Sequence, residues 1–299
     1  MHLSKESLQE IGEWIGNTTG KTHSIDRIQE TGGGCISSAF TVNCGPRQYF
    51  LKVDDTNRFD MLESEAEGLA ALQDAGAVRV PEVICTGQTR ECTFIVLEYI
   101  MFVSSSGGQS KLGGQLARLH RTTAAQFGWG RDNYIGATPQ PNSWHDDWLQ
   151  FFSGNRLAYQ LSLAAVRINS PSLQTAGNRL LEIMGKLFVE YRPQPSLLHG
   201  DLWGGNYGID ENENPVIFDP AVYYGDREAD LAMTELFGGF GAEFYEAYQK
   251  EWPPDAGYPL RKNLYTLYHI LNHANLFGGG YILQAERIAS SLVAEIEKL

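Results

Sequence analysis

Apolar positions along this chain follow two different rhythms, and the change between them divides it. Leu8, Ile11 and Ile15 recur at near-helical steps and predict an amphipathic helix over residues 3–16, ended by Gly16 and Asn17. Strand-like stretches follow at 25–30 and 39–43, separated by a glycine-rich turn at 31–38. After Gly45 and Pro46, residues 48–53 predict a third strand that carries one lysine, Lys52, among apolar neighbours. Met61, Leu62, Glu65, Leu69 and Leu72 predict a helix over 59–75 that Gly76 stops. Residues 81–87 read as a connection and 93–97 as a buried strand.

From 104 to 110 the composition turns to serine and glycine, the clearest linker signal in the chain. Beyond it the period is helical: 112–120, 146–163, 173–191 and three further stretches after Asp226. The pattern predicts an α+β fold of two lobes, a β-rich N-lobe over 1–98 and a larger, mainly helical C-lobe over 99–299. The boundary is placed near 98–103.

With 299 residues, 42% of them hydrophobic, the chain can bury a sizeable core. A formal charge of −13 argues against a nucleic-acid or anionic-membrane binder, since either needs a basic face. No basic segment followed by an apolar core opens the chain, so no secretory signal is expected. The longest strongly apolar run, 94–97, is far too short to span a bilayer. Four cysteines (Cys35, Cys44, Cys85, Cys92) match no zinc spacing, and such sparse use fits a reducing cytoplasm.

The densest chemistry lies at 198–220. His199, Gly200 and Asp201 precede Asn206, and a short β-like run then delivers Asp219. An acid, an amide oxygen and a second acid in this order suit phosphoryl transfer from ATP: Asp201 orients or deprotonates a hydroxyl, while Asn206 and Asp219 offer hard oxygen ligands to magnesium. The alternative is a polar turn with Asp219 as a cap. His199 reads as a residue that locks the loop, not as the base.

Upstream, Gly32, Gly33 and Gly34 would let backbone N–H groups approach phosphate closely, although an ordinary hairpin turn has the same composition. Ser37 stands where a protein-kinase glycine loop has its last glycine. Lys52 lies in a strand fit for burial and needs a carboxylate or phosphate there, which Glu65 on the next helix can supply. A lysine snorkelling from an edge strand is the competing explanation. His269 and His273 stand four apart, a zinc-ligand spacing, but lack the glutamate of H-E-x-x-H. Asp226, Glu228 and Asp230 form an acidic cluster, but Asp230 opens the pattern Leu231-Ala232-Met233 and reads as a helix-start or loop-bracing residue, not a ligand.

These residues belong to phrases that resemble the fructosamine kinase (ketosamine 3-kinase) family, within the aminoglycoside-phosphotransferase-like, protein-kinase-like group. The phrases are GGGCISSAF at 32–40, YFLKV at 49–53, ESEAEGLAAL at 63–72, LGGQLARLH at 112–120, and FGW and PQPNSWHDDWLQFF within 127–152. LLHGDLWGGN at 197–206, VIFDPAVYYGDREADLAMTELFGGF at 216–240 and LYHILNHANLFGGGY at 267–281 complete them.

The resemblance implies a bilobal kinase-like fold and ATP-dependent phosphorylation of the third-carbon hydroxyl of a ketosamine. In the family the phosphoester is unstable and falls apart, so the outcome is deglycation. Carried over, Asp201 is the base, Asn206 and Asp219 hold magnesium, Lys52 binds phosphate and Glu65 pairs with it. The loop Gly32, Gly33, Gly34, Cys35, Ile36, Ser37 and Ser38 covers the nucleotide, and Glu98, Tyr99 and Ile100 offer backbone groups to adenine. Asp219 is followed by Pro220 and Ala221 where protein kinases have Phe-Gly, and no A-P-E segment appears, so activation-loop regulation is not implied.

Trp203, between Asp201 and Asn206, is the first candidate for contact with the sugar or amine of the acceptor, and His273 the second; core filling is the alternative for each. Cys35, in the glycine loop, is a candidate for oxidation or for a redox-linked homodimer, against an inert small residue. Two rival functions remain: a kinase of the aminoglycoside or choline type, and a nucleotide-binding regulatory module without catalysis.

Overall fold

The computed structural model describes residues 3–21, 24–32, 37–103 and 107–299. Packing divides the chain into two compact units, Met1–Gly108 with Gly208–Asp219, and Gln109–Tyr207 with Pro220–Leu299. The expected division at 98 was a single cut; the structure has the chain return once to the first unit, because the 208–219 segment packs there and not with the helices around it in sequence.

In the first unit, helix α1 (Lys5–Thr19) starts where the Ser4 hydroxyl accepts the Ser7 N–H, and it runs three residues past the expected end. Strands β1 (Arg27–Thr31), β2 (Ser38–Cys44) and β3 (Arg47–Asp54) form an antiparallel meander. Helix α2 (Phe59–Ala75) follows, then β4 (Val83–Gln88) and β5 (Thr93–Glu98), and the sheet order is β1-β2-β3-β5-β4. Residues 81–87, read from sequence as a connection, thus hold most of an edge strand. Its positions are mostly half-buried, so no alternation marks it. Ile11 and Ile15 of α1 are fully buried against Val42, Leu51, Val53, Phe94 and Val96. Each such burial stabilises by about 1.5–3 kcal/mol.

The second unit begins with α3 (Gln109–Leu119) and the hairpin of β6 (Asn133–Ile135) and β7 (Thr138–Gln140). The helix expected over 146–163 is α4 (Trp148–Phe151), a π-helical stretch at Phe152–Ala158, and α5 (Tyr159–Arg167). Pro171 at the first turn and Ser170 as cap start α6 (Pro171–Ile183). Strand β8 (Ser196–Leu198) enters the loop of interest; β9 (Tyr207–Ile209) and β10 (Pro215–Ile217) follow it, and β11 (Tyr223–Gly225) pairs back onto β8.

Among the described residues four helices, not three, come after Asp226: α7 (Arg227–Leu236), α8 (Ala242–Glu251), α9 (Tyr258–Phe277) and α10 (Gly280–Ile296). Gly278 and Gly279, at φ 65° and 61°, separate α9 from α10. The core of this unit joins Trp148, Phe151, Phe152, Leu180, Leu264, Tyr265 and Leu292. Among the described residues no helix is long and apolar enough to cross a membrane.

Candidate active site

Each unit carries a cluster of the residues singled out by sequence. In the first, Lys52 lies on β3, the middle strand of five, between Ala39 and Ile95. The edge-strand explanation for this lysine therefore fails. Its Nζ donates to Glu65 Oε2 at 2.8 Å and Oε1 at 3.0 Å, and to Asp219 Oδ1 at 2.9 Å.

Burial works against the Lys52 charge, but the Asp219 and Glu65 carboxylates outweigh it and raise its pKa above the ordinary lysine value. Burial lifts Glu65 to about 7; Lys52 opposes that rise and the Asp219 charge adds to it. Two acids thus share one ammonium, a local excess of negative charge that suits a cation. Asp219 holds a left-handed backbone, φ 55°, unusual for a residue with a side chain and a form of local strain typical of functional sites.

Ser37 is buried and donates to Asp54 Oδ2 at 2.7 Å, so its hydroxyl braces the sheet. Ser38 opens β2, and Gly32 has open space around it. Gly33, Gly34, Cys35 and Ile36 lie outside the described residues, as does the redox role considered for Cys35. The other three cysteines are free thiols. Glu98 ends β5, and its carboxylate accepts Arg79 Nη2 at 2.6 Å; Tyr99 and Ile100 follow, Tyr99 exposed.

In the second unit, the loop after β8 is built on Asp230. Its Oδ2 accepts the His199 N–H and its Oδ1 the Gly200 N–H, both at 2.8 Å. His120 Nε2 meets Asp230 Oδ2 at 3.1 Å, and His120 Nδ1 meets the Tyr248 hydroxyl at 2.7 Å. Burial opposes ionisation of Asp230, but the His120 hydrogen bond and the two histidines hold its carboxyl below the usual range. His199 Nδ1 accepts the Asp201 N–H at 3.3 Å, which leaves His199 a buried brace. Asn206 Nδ2 donates to the Asp201 carbonyl at 2.9 Å and approaches Asp201 Oδ2 at 3.4 Å.

Gly200 sits at φ +83°, and a Cβ there would fall 2.0 Å from the Ala221 carbonyl oxygen. Gly200→Ala is expected to cost about 3 kcal/mol or more, since backbone strain and a backbone clash add. A thermal melt checks this, and a melting temperature within a degree or so of the parent would show that the loop has another low-energy path.

Trp203 is 38% exposed and packs edge-on against Phe237 at 6.0 Å, and Phe237 lies 4.7 Å from His273. His273 also meets Phe277 at 5.7 Å and Tyr281 at 5.1 Å. The two acceptor candidates thus belong to one aromatic cluster whose other members sequence reading did not name. Burial lowers the His273 pKa and takes His269 down to about 3, so His269 is a neutral core residue. Asp226 caps α7 and accepts the Tyr191 and Tyr265 hydroxyls, and Glu228 pairs with Arg261, so both are structural.

Among the described residues no three His, Cys, Asp or Glu side chains are grouped to hold a metal. Magnesium needs no such group, because it keeps waters and phosphate oxygens beside one or two protein ligands. Each unit holds an oxygen donor of the kind magnesium takes: in the second, the Asn206 amide nitrogen bonds the Asp201 carbonyl, which orients the other end of the amide as oxygen, and in the first, Asp219 carries a half-exposed carboxylate.

A β-rich unit and a mainly helical one make up the α+β fold of the kinase-like aminoglycoside phosphotransferases. An aminoglycoside phosphotransferase solved with AMP-PNP and hygromycin B shares this fold with a TM-score of 0.60 over 95% of this chain and 98% of its own, at 16% identity. The family model for fructosamine kinase matches residues 7–295, and the chain belongs to that family. A probable ketoamine kinase of Synechocystis is 45% identical over 94% of this chain and 95% of its own length. A chloroplastic protein-ribulosamine 3-kinase of Arabidopsis thaliana is 43% identical over 91% and 83%. The crystal structure of a fructosamine-3-kinase homologue from Haemophilus somnus superposes with a TM-score of 0.87 at 26% identity, covering 94% of this chain and 96% of the other.

Proposed function

We propose that this protein transfers the γ-phosphoryl group of ATP to the 3-hydroxyl of a ketosamine, the sugar adduct that glycation leaves on an amine, and so starts its removal. The observation that carries the reading is Lys52, held by Glu65 and Asp219 at 2.8–3.0 Å on the central strand of the sheet in a chain of the fructosamine kinase family. A lysine fixed by two acids in this way is poised to receive phosphate oxygens.

In this scheme Lys52 binds phosphate, Glu65 keeps it oriented, and Glu98, Tyr99 and Ile100 present backbone groups to the base. Asp201 accepts or orients the proton of the attacking hydroxyl, its backbone fixed by His199 and Asn206. Asn206 and Asp219 would hold magnesium, which when bound neutralises charge on the transferring phosphoryl group. Positioning and charge neutralisation supply most of the rate. Trp203, with His273 behind Phe237, offers a face for the sugar or its amine.

The test is a coupled ADP-release assay with ribulose-lysine, fructose-lysine and an aminoglycoside, each with magnesium and with a chelator. Ketosamines are expected to be preferred by about 100-fold or more in kcat/KM, and turnover to vanish without magnesium. Trp203→Ala should raise the ketosamine KM about tenfold and leave the ATP KM unchanged. A preference for the aminoglycoside would favour the rival small-molecule kinase; an unchanged ketosamine KM would remove Trp203 from the acceptor pocket.

A further inference from the structure

The first unit contains a charged cluster that the roles above leave unused. Arg79 precedes β4, and its guanidinium reaches two carboxylates on different elements: Nη2 donates to Glu98 Oε1 at 2.6 Å, and Nη1 donates to Asp210 Oδ2. Asp210 is buried in the turn between β9 and β10, where its Oδ1 accepts the N–H groups of Asn212 and Asn214 at 2.9 and 2.8 Å. The Arg79 backbone joins the same hairpin, since its carbonyl accepts the Ile217 N–H at 3.0 Å, two residues before Asp219.

Further contacts run parallel to this one. Phe102 stacks on Phe218 at 5.4 Å, and the Val103 N–H donates to the Ile209 carbonyl at 2.8 Å. The stretch that begins at Glu98 and the arm that ends at Asp219 are therefore packed together, and the Arg79 side chain is bonded to both. A fork of N–H donors suits this double role, and a lysine cannot reproduce it.

We propose that Arg79 is a positioning residue for the nucleotide: it fixes the base-binding end of β5 against the arm that presents Asp219, and so sets the spacing between the base and the metal-bound phosphates. The inference rests on the proposed roles of Glu98, Tyr99, Ile100 and Asp219. An isolated, partly exposed ion pair would contribute little, but here one cation also answers a buried acid that is already tied to its turn. Removing the guanidinium leaves Asp210 without its cation and frees the Glu98 end of the strand. The effect should fall on nucleotide and metal, not on the acceptor.

The experiment compares Arg79→Met, Arg79→Lys, Glu98→Gln and the Met–Gln double variant in the full chain. Readouts are KM for MgATP and for ketosamine, the magnesium half-saturation point, titration with a fluorescent nucleotide, and the melting temperature. Arg79→Met is expected to raise the MgATP KM, the nucleotide Kd and the magnesium half-saturation by about tenfold each, with the ketosamine KM within about twofold. Arg79→Lys should recover part of the loss. Glu98→Gln should show about a threefold loss, and the double variant should be no worse than Arg79→Met alone, because the two residues act through one contact.

A fall in kcat with nucleotide constants unchanged, or losses that only follow the melting temperature, would overturn the inference. Should Arg79→Met not fold, Glu98→Gln decides, and unchanged nucleotide constants in it count against the proposal. A parent protein active on ketosamine with an unaffected Arg79→Met variant removes this inference alone. A parent that neither binds nucleotide nor releases ADP removes the phosphoryl-transfer reading as well.

Discussion

Asp201→Asn should lower kcat by about a thousandfold while the MgATP Kd stays within about twofold, because a positioned base typically contributes 10²–10⁴ in rate. The substitution keeps shape. The Asp201 N–H still meets His199 Nδ1, and its carbonyl still accepts the Asn206 amide, so the loop keeps its course. What is lost is a carboxylate able to accept or orient the hydroxyl proton. Single-turnover kinetics beside a nucleotide titration separates the two constants, and unchanged turnover would end the assignment of Asp201 as base.

Lys52→Met should have the largest combined effect. The methionine fits the volume of the lysine stem, but it leaves Glu65 and Asp219 without the ammonium that now lies 2.8–3.0 Å from their oxygens. Breaking a buried ion pair by removing one partner costs about 3–5 kcal/mol, part of which protonation of Glu65 can relieve. Catalysis should fall by about a thousandfold in kcat/KM for ATP, since the charge aimed at the phosphates is gone. Lys52→Arg, a bulkier fork in a site shaped for a point charge, should not restore it. Denaturant unfolding and steady-state kinetics check the two effects. A variant as stable as the parent would mean that the pair is an incidental contact.

How much of this was legible in the sequence depends on distance along the chain. Strand β3 with Lys52, and α2 with Glu65 and its stop at Gly76, follow from local periodicity, and the helix bounds read from sequence coincide with Phe59–Ala75. Strand β4 was missed because an edge strand with half-buried positions has no alternation to detect. The β-like run before Asp219 is β10; the other strands among β6 to β11, also of three residues each, fall below what period alone can mark.

The bracing of the candidate site was even less visible. Asp230 was marked only as a capping or bracing acid, and what it braces, His199 and Gly200, lies 31 and 30 residues away. His120 is 110 residues from Asp230, and Arg79 is 131 from Asp210. Such pairs are products of topology, and only motif phrases such as DREADLA hinted that these acids matter. The candidate side chains were named from type and order, whereas the groups that orient them are set by the tertiary fold.

Phosphorus NMR of the parent protein with ATP, magnesium and ribulose-lysine follows the γ-phosphoryl group to its acceptor. Transfer to the 3-hydroxyl of the ketosamine gives a new phosphomonoester signal that grows with ADP and then decays as free lysine and inorganic phosphate appear. ADP formed with inorganic phosphate alone from the first moment, or a stable phosphoester placed on an aminoglycoside in preference to the ketosamine, would contradict it.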